Sequence, residues 1–202
     1  MTKLVVVTAG LSQPSSTRIL ADQLAAASAA ALRAGGVAVD VEVIELRDLA
    51  HAVTDNLLTG FPSGPLADAV ASVAAADAVI AVTPVFSASY SGLFKSFFDV
   101  LDNEALVDKP VLIAATGGTA RHSLALDHAV RPMVAYLRAV PVPTAVFAAP
   151  EDWGGDESEG QLRGRINRAA GELAREIERR EPATVQDPFA LTTSFEELLA
   201  GG

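Results

Sequence analysis

The chain has 202 residues, of which 50% are hydrophobic and 20% are charged, which excludes a disordered protein. Fifteen Lys and Arg residues against 25 Asp and Glu residues give a net charge of −10, which argues against a main role in gripping nucleic acid or anionic membranes. No cysteine is present, so disulfides, thiolate zinc sites, cysteine nucleophiles and iron–sulfur clusters are excluded. The N-terminal apolar run is too short for a signal sequence and no run approaches ~20 apolar residues, so we expect a cytoplasmic protein.

Short β-branched runs alternate with long Ala-rich segments along the chain. The β-branched runs predict strands at 4–8, 37–45, 78–82, 111–115 and 144–147. The intervening segments predict helices at 17–34, 66–75, 92–101, 123–138 and 161–180. Because the strands are apolar throughout, they indicate a parallel sheet that helices cover on both faces. Five such units predict a doubly wound α/β domain at 1–180, followed by a tail at 181–202.

The loop after the first strand is a candidate phosphate site, because ligands of such sheets bind beyond the carboxyl ends of the strands. It has neither the dinucleotide-binding nor the ATPase glycine pattern. It instead carries hydroxyls at a predicted helix N-terminus, where backbone N–H groups and a partial positive charge favour an anion. The candidate residues are Ser12, Ser15, Ser16, Thr17 and Arg18. On this loop alone ordinary helix capping remains an alternative, although capping explains only one of the hydroxyls.

The loops after the third and fourth strands suit a flat ring. The first of them offers an apolar, aromatic wall, and the glycines of the second let a backbone approach a ligand closely. The candidate residues are Pro84, Val85 and Phe86 in the third loop and Thr116, Gly117, Gly118 and Thr119 in the fourth. The alternatives are an aromatic residue that packs in the core and a plain Gly-Gly turn. Helical spacing predicts that Phe94, Phe97 and Phe98 are packing residues.

Four segments together resemble the NAD(P)H-dependent FMN reductases of flavodoxin-like fold. The resemblance is strongest to the flavin reductases that supply two-component alkanesulfonate-type monooxygenases. The matching segments are TPVF at 83–86, YSGLFK at 90–95, ATGGT at 115–119 and LDHAVRP at 126–132, within a likeness that runs over about 3–147. The resemblance implies a five-stranded parallel sheet of order 2-1-3-4-5 with helices on both faces.

The resemblance also implies where FMN binds. The phosphate lies at the first loop, the isoalloxazine and ribityl side runs along 84–86, and the ring edge meets 116–119. The chain departs from the family pattern in two places. Leu11 follows Gly10, with Gln13 near the usual arginine of a Gly-Ser-x-Arg loop, and Phe86 replaces a common tyrosine.

One predicted helix contains a proline. Pro132 has no N–H, so the carbonyl of His128 loses its helical partner and the helix is expected to kink or bulge there. In the resembling reductases this position lies on a π-bulge at a subunit interface and is Tyr or His. The alternative for His128 is a surface histidine without chemistry, and we assign it no role as a general base. The resemblance suggests a homodimer or homotetramer.

The function implied is an NAD(P)H:FMN oxidoreductase that passes a hydride from NADPH or NADH to flavin N5. Reduced FMN would then go to a partner flavin-dependent monooxygenase. Because the cofactor carries the chemistry, we assign no catalytic side chain and no metal ligand. Two alternatives stay open: a quinone or azo reductase with tightly bound flavin, and a flavodoxin-like electron carrier without enzymatic activity. The sequence does not choose between NADPH and NADH.

Overall fold

A computed structural model describes residues 1–180 of the chain. Its strands are β1 (Thr2–Thr8), β2 (Val39–Glu45), β3 (Ala78–Phe86), β4 (Ser89–Tyr90), β5 (Pro110–Thr116), β6 (Val140–Pro141) and β7 (Val146–Ala148). Its α-helices are α1 (Ser16–Ala34), α2 (Leu46–Thr59), α3 (Pro65–Ala74), α4 (Gly92–Asp99), α5 (Arg131–Tyr136) and α6 (Asp156–Glu178). Two 3₁₀ turns, Ala120–His122 and Pro150–Trp153, and a π-helical segment, Leu126–Val130, complete the described elements. The tail expected at 181–202 lies outside the described residues.

The sheet has a parallel centre in the order β2-β1-β3-β5. Both β6 and β7 pair with β5 in parallel, so these two short strands share the fifth position. The two-residue β4 folds back on the end of β3 as an antiparallel hairpin. The doubly wound α/β class is thus confirmed, whereas the predicted count of five strands is wrong, because the described sheet has seven.

The fifth strand position is divided between β6 and β7 for a physical reason, and only β7 overlaps the strand predicted at 144–147. Pro141 and Pro143 have no N–H to donate, so the ladder with β5 cannot run without interruption. Between the two short strands the chain turns to α6, where the backbone N and the Oγ1 of Thr144 donate to the carboxylate of Glu172 at 2.7 and 2.8 Å. The chain then rejoins the sheet at Val146, opposite Ala114.

The core lies on both faces of the sheet. Along β1, Leu4 and Val6 face α1 and α6, while Val5 and Val7 face the side covered by α3 and α4. All four side chains are fully buried. This two-sided burial is why the central strands contain unbroken apolar runs, such as 4–7 in β1, rather than alternating apolar and polar residues. The predicted packing role of the phenylalanines in α4 is confirmed, since Phe94, Phe97 and Phe98 are all buried.

Two helices differ from the sequence-based expectation. The sequence analysis assigns no element to the segment that forms α2, Leu46–Thr59, near whose end three weak helix formers, Thr, Asp and Asn, occur in a row. The helix predicted at 123–138 contains the π-helical segment before α5 begins at Arg131. The expected bulge ahead of Pro132 is therefore confirmed. Among the described residues, no helix has the length and apolar character needed to cross a membrane.

Candidate active site

A cleft of about 790 Å³ opens at the carboxyl ends of β1, β3, β5 and β7. This is the edge of a parallel α/β sheet where ligands bind. Most of the predicted site residues line the cleft: Ser12, Ser16, Thr17, Pro84, Val85, Phe86, Thr116, Gly117 and Gly118. Three others, Ser15, Arg18 and Thr119, do not line it. The topology thus brings three loops that are far apart in sequence to one ligand-sized space.

Ser15 does not line the cleft because it caps α1. Its backbone is extended, and its Oγ accepts a hydrogen bond from the backbone N of Arg18 at 3.2 Å. The capping alternative is therefore correct for this one hydroxyl. Gly10 makes room for the cap, since a Cβ at that position would lie 2.0 Å from Ser15 Oγ. The hydroxyls of Ser12 and Ser16 remain at the cleft wall beside the helix N-terminus.

Two threonine hydroxyls join α1 to β5 at the base of the cleft. Thr17 Oγ1 and Thr116 Oγ1 are 2.8 Å apart, and both side chains are buried. A hydrogen bond between buried groups satisfies both and fixes the distance between the elements that carry them. The first turn of α1 is thereby held against the end of β5.

Arg18 is engaged by carboxylates outside the cleft. Its Nε donates to Asp22 Oδ1 at 2.8 Å, and its Nη1 forms an ion pair with Glu45. The hydrogen bond to Asp22 contributes most to raising the pKa of Arg18 above its ordinary value. The guanidinium therefore bridges α1 to the end of β2.

The β3–β4 hairpin forms the apolar wall. Phe86 is 48% exposed although it lines the cleft, which is an unusual amount of free aromatic surface. The hairpin is anchored by Thr83, whose Oγ1 donates to the carbonyl of Pro84 at 2.9 Å and accepts from Ser91 N at 3.0 Å. Ser91 in turn caps α4 through its Oγ. The exposed ring of Phe86 thus stands on a well-fixed base.

The β5 loop supplies a close backbone approach. A Cβ on Gly117 would lie 2.7 Å from Cζ of Phe147, so only glycine fits there without displacement. A Cβ on Gly118 would meet nothing within 4 Å, which leaves its backbone open to the cleft. Thr119 instead precedes the 3₁₀ turn Ala120–His122. Ala120 N donates to Glu151 Oε1 at 3.1 Å, which ties this loop to the one after β7.

A fourth loop, which follows β7, also lines the cleft and is missed by the sequence analysis. Leu11 and Ile19 of the first loop and α1 add further apolar surface. The lining residues not predicted from sequence are Leu11, Ile19, Ala148, Ala149, Pro150 and Trp153. The predicted sheet itself could have indicated this loop. A parallel strand next to β5 ends at the same edge of the sheet, so the loop after that strand reaches the same cleft.

His128 lies on the π-helical segment, as the resemblance implies, and its side chain is exposed. The backbone N of Arg131 bonds the carbonyl of Leu126, five residues earlier, which is the hydrogen bond that defines a π-turn. The guanidinium of Arg131 donates to Asp127 Oδ1 at 2.9 Å and to the carbonyl of Val142 at 3.0 Å. Its contacts brace the bulge against the segment between β6 and β7. The expected subunit interface at His128 stays a prediction.

The residues present fit FMN in size and in donor chemistry. The cleft volume lies within the ~300–1,000 Å³ that is usual for cofactor sites. One end has Ser12 and Ser16 at a helix N-terminus, and hydroxyl-bearing residues in that place suit a phosphate. The other end has an exposed aromatic ring and an open glycine backbone, which suits a planar heterocycle. Within residues 1–180 the lining contains no Asp, Glu, Lys or Arg, so the donors are neutral.

Comparisons with known proteins agree with this assignment. The family model "NADPH-dependent FMN reductase" matches residues 2–154. An "FMN reductase (NADPH)" of Pseudomonas aeruginosa is 36% identical over 173 residues, which cover 85% of this chain and 90% of that protein. The "NADH-dependent FMN reductase SfnF" of Pseudomonas fluorescens is 35% identical over 173 residues, with the same coverage of both chains.

Solved structures are similar over nearly the whole described domain. An oxidoreductase from Corynebacterium diphtheriae has a TM-score of 0.86 and 49% identity, over 90% of this chain and 99% of that one. The apo form of the NADH:FMN oxidoreductase EMOB has a TM-score of 0.72 and 31% identity, over 84% of this chain and 89% of that one. From its sequence, its fold and the residues of its cleft, the chain belongs to the NADPH-dependent FMN reductase family of NAD(P)H:FMN oxidoreductases.

Proposed function

We propose that FMN binds across the cleft, is reduced there by NADH or NADPH, and leaves as reduced FMN for a flavin-dependent monooxygenase. The observation that carries this proposal is the cleft itself, which joins a hydroxyl-lined helix N-terminus to an apolar wall and an open glycine turn. The resemblance of the loops to the flavin reductases of two-component systems supports a monooxygenase as the protein that receives the reduced FMN. A homodimer or homotetramer, with the π-helical segment at an interface, is part of the same proposal.

The phosphate end is built from α1. This helix has 19 residues, and its first turn presents N–H groups that have no partner within the helix. Ser12 and Ser16 add hydroxyl donors at the cleft wall, while Ser15 holds the helix start in place. Arg18 is bound to Asp22 and Glu45, so the dianion would be held by neutral donors and the helix dipole.

The ring end is built from β3 and β5. Val85 and Phe86 offer an apolar surface, and Gly118 offers backbone without a side chain. When bound, FMN supplies the two-electron acceptor that takes a hydride from nicotinamide C4. The chain's own residues bind the ring, orient it and exclude water from one of its faces. Within residues 1–180, the cleft lining contains no His, Asp, Glu, Lys or Arg, so no side chain of the cleft is proposed as an acid or a base.

The neutral lining bears on how FMN is held. A phosphate that meets no cation gains less binding free energy than one that meets an arginine. An open cleft with neutral donors therefore suits a flavin that enters as a substrate and leaves after reduction. A prosthetic flavin, retained through turnover with a quinone or an azo compound, would bind more tightly if a cationic side chain met its phosphate.

The test is steady-state oxidation of NADH and NADPH by the purified protein, with FMN titrated from zero. We expect negligible oxidation without added FMN and saturation at micromolar FMN. A full rate from flavin that copurifies, with further oxidation only when a quinone is added, would contradict the substrate role. No oxidation with any flavin would leave the electron-carrier alternative.

Ser16→Ala tests the phosphate end. We expect it to weaken FMN binding by about ten- to a hundredfold, since a hydrogen bond to a charged group contributes about 1.5–3 kcal/mol, and to leave the binding of riboflavin, which has no phosphate, unchanged. Calorimetric titration with both flavins measures this. Ser158→Ala is the matched control, because Ser158 lies in the first turn of another helix and does not line the cleft. Equal losses for FMN and riboflavin would contradict a phosphate contact.

A further inference from the structure

The loop after β7 places a tryptophan at the cleft. Trp153 ends the 3₁₀ turn Pro150–Trp153 and lines the cleft together with Ser16 and Ile19 of α1. It is the one tryptophan of the chain. The ring also packs on the buried cluster between α1 and α6, and it borders a second groove there. The indole therefore forms the partition between the cleft and the helix layer.

Polar contacts fix the turn that carries Trp153. Asp152 Oδ2 accepts from Ala149 N at 2.8 Å, and Asp152 Oδ1 pairs with Arg165 Nη2 at 2.6 Å. The same Arg165 nitrogen donates to the carbonyl of Phe147 at 3.3 Å. Because the Asp152 side chain is only 17% exposed, this pair is screened less than a surface ion pair. One short turn is thus tied to the end of β7 and to α6.

A second contact ties the turn to the opposite loop. Glu151 Oε1 accepts from the backbone N of Ala120, which lies just after the Gly117–Thr119 segment of the β5 loop. Two neighbouring residues of the turn are therefore held by partners on two other elements, the β5 loop and α6. A turn that only connects β7 to α6 does not need such bracing, whereas a binding wall does, since pre-organised walls lose less entropy when a ligand binds.

The position of Trp153 indicates which part of FMN it faces. Besides lining the cleft, Trp153 borders the groove that Gln23 and Ala27 of α1 line, so it lies on the α1 side of the cleft, and α1 carries the proposed phosphate end. The proposed ring end, at Phe86 and Gly118, is built from different strands. We propose that Trp153 binds FMN by packing against its ribityl–phosphate half, and that Asp152 and Arg165 are positioning residues that hold the indole there. This proposal rests on the proposed FMN-reductase function.

The test compares FMN with lumiflavin, which has the ring without the ribityl phosphate. In calorimetric titrations, Trp153→Ala should weaken FMN binding about tenfold and leave lumiflavin binding unchanged. Trp153→Phe should restore FMN binding to within about threefold of the unchanged protein, since a smaller ring keeps part of the contact. Phe61→Ala is the matched control, because Phe61 is an exposed aromatic residue that does not line the cleft.

The outcomes separate this proposal from the one on which it rests. If the unchanged protein binds no flavin, the proposed function fails. If it binds FMN and Trp153→Ala binds FMN equally well, the function stands and the role of Trp153 is refuted. If Trp153→Ala weakens lumiflavin as much as FMN, the indole contacts the ring and the assignment to the ribityl–phosphate half is wrong.

The positioning role of Asp152 is tested by a double-mutant cycle. Asp152→Ala alone should weaken FMN binding about fivefold, and it should have no further effect in the Trp153→Ala background, because Asp152 acts through the indole. Asp152→Asn, whose amide oxygen can still accept from Ala149 N, provides a second variant if the alanine variant fails to fold. Equal effects in both backgrounds would show that Asp152 does not act through Trp153. Thermal melting of each variant checks that the fold is intact.

Discussion

At the residue scale, the cleft depends on places where a side chain would not fit. Gly117 lies against Phe147, whose ring is buried behind the β5 loop. Gly10 lies against the hydroxyl of Ser15, which caps α1. Each glycine lets a loop turn tightly over a fixed neighbour. The backbone N–H groups next to them can then face a ligand rather than be shielded by side chains.

Gly117→Ala should destabilise the protein by about 1–3 kcal/mol, because the new Cβ would lie 2.7 Å from Phe147 Cζ and a buried ring cannot move freely. Urea denaturation measures the loss. Gly118→Ala is the matched control, since its Cβ would meet nothing within 4 Å, and its stability should stay within about 0.5 kcal/mol. Equal losses at the two positions would show that steric contact with Phe147 is not the cause.

At the scale of elements, the β3–β4 hairpin combines a functional wall with a strained turn. Ser87 and Ala88 join the two strands with φ of 48° and 66°, a backbone conformation that residues other than Gly, Asn and Asp rarely adopt. These two strained residues directly follow Phe86, which lines the cleft. The turn keeps the hairpin to two linking residues, so the exposed ring stays close to the end of β3.

Ala88→Gly should stabilise the protein by about 1 kcal/mol, because glycine adopts a positive φ without the steric cost that alanine meets. The matched control makes the same change at Ala71, an exposed residue of α3, where we expect a loss of about 1 kcal/mol. Chemical denaturation of both variants measures the change in the free energy of unfolding, which should be positive for Ala88→Gly and negative for the change at Ala71. A loss of stability in Ala88→Gly would contradict strain at this turn.

Helices and strands differ in how far the sequence predicted them. The central strands were predicted well because burial on both faces produces unbroken apolar runs, as at 4–7 in β1 and 111–115 in β5. The helix Leu46–Thr59 was missed because its polar residues are weak helix formers and packing on the core decides its structure. The fifth strand was placed only roughly, since Pro141 and Pro143 break it.

Within the candidate site, the residues whose side-chain type suggests binding were predictable from the sequence. The contacts that depend on how distant segments pack together were not. Hydroxyls and glycines in the first and fourth loops drew attention to Ser16 and Gly118, which do line the cleft. The ion pairs that hold Arg18 away from the cleft involve Asp22 and Glu45, and Glu45 lies 27 residues along the chain, beyond the reach of a local pattern. Trp153 was missed because its loop has neither a glycine turn next to the strand nor a cluster of hydroxyls.

At the scale of the whole molecule, the two edges of the sheet do different work. The cleft lies at the carboxyl ends of the strands. At their amino ends lies a buried lysine, which donates hydrogen bonds to the carbonyls at the end of a helix. Lys109 Nζ donates to the carbonyls of Val73 and Ala74, at the end of α3, at 2.7 and 2.8 Å. Burial lowers the pKa of Lys109 to about 8, and the nearby carboxylate of Asp77 opposes this shift. Stability at this edge is therefore linked to pH.

The free energy of unfolding should increase as pH rises from about 8 to about 10.5. Over this range Lys109 loses its proton in the folded chain while the unfolded chain, with its ordinary pKa of 10.5, keeps it. The unfolded state then binds more protons, so the penalty for burying the charge is progressively removed. Denaturation of Lys109→Met across this range should show a smaller increase than the unchanged protein.

Lys95→Met is the control for the titration of lysines in general. The Lys95 side chain is 40% exposed and pairs with Asp99 on the same helix at 2.5 Å, so Lys95→Met removes a lysine that is not deeply buried and should leave the pH dependence above pH 8 as it was. If Lys109→Met and the unchanged protein show the same slope, the link between burial of Lys109 and stability is refuted.

The divided strand at one side of the sheet has a consequence for the protein in concentrated solution. An open sheet offers unpaired N–H and C=O groups at its outermost strands, and these can recruit a strand from another molecule. Here β6 and β7 present only two and three residues, and the adjoining Pro141 and Pro143 have no N–H to offer. The outer strand at the other side, β2, carries Asp40 and Glu42, of which Glu42 pairs with Lys3, and charged side chains on an outer strand disfavour its pairing with another molecule. Within residues 1–180, both margins of the sheet thus disfavour intermolecular strand pairing, which favours a protein that resists aggregation.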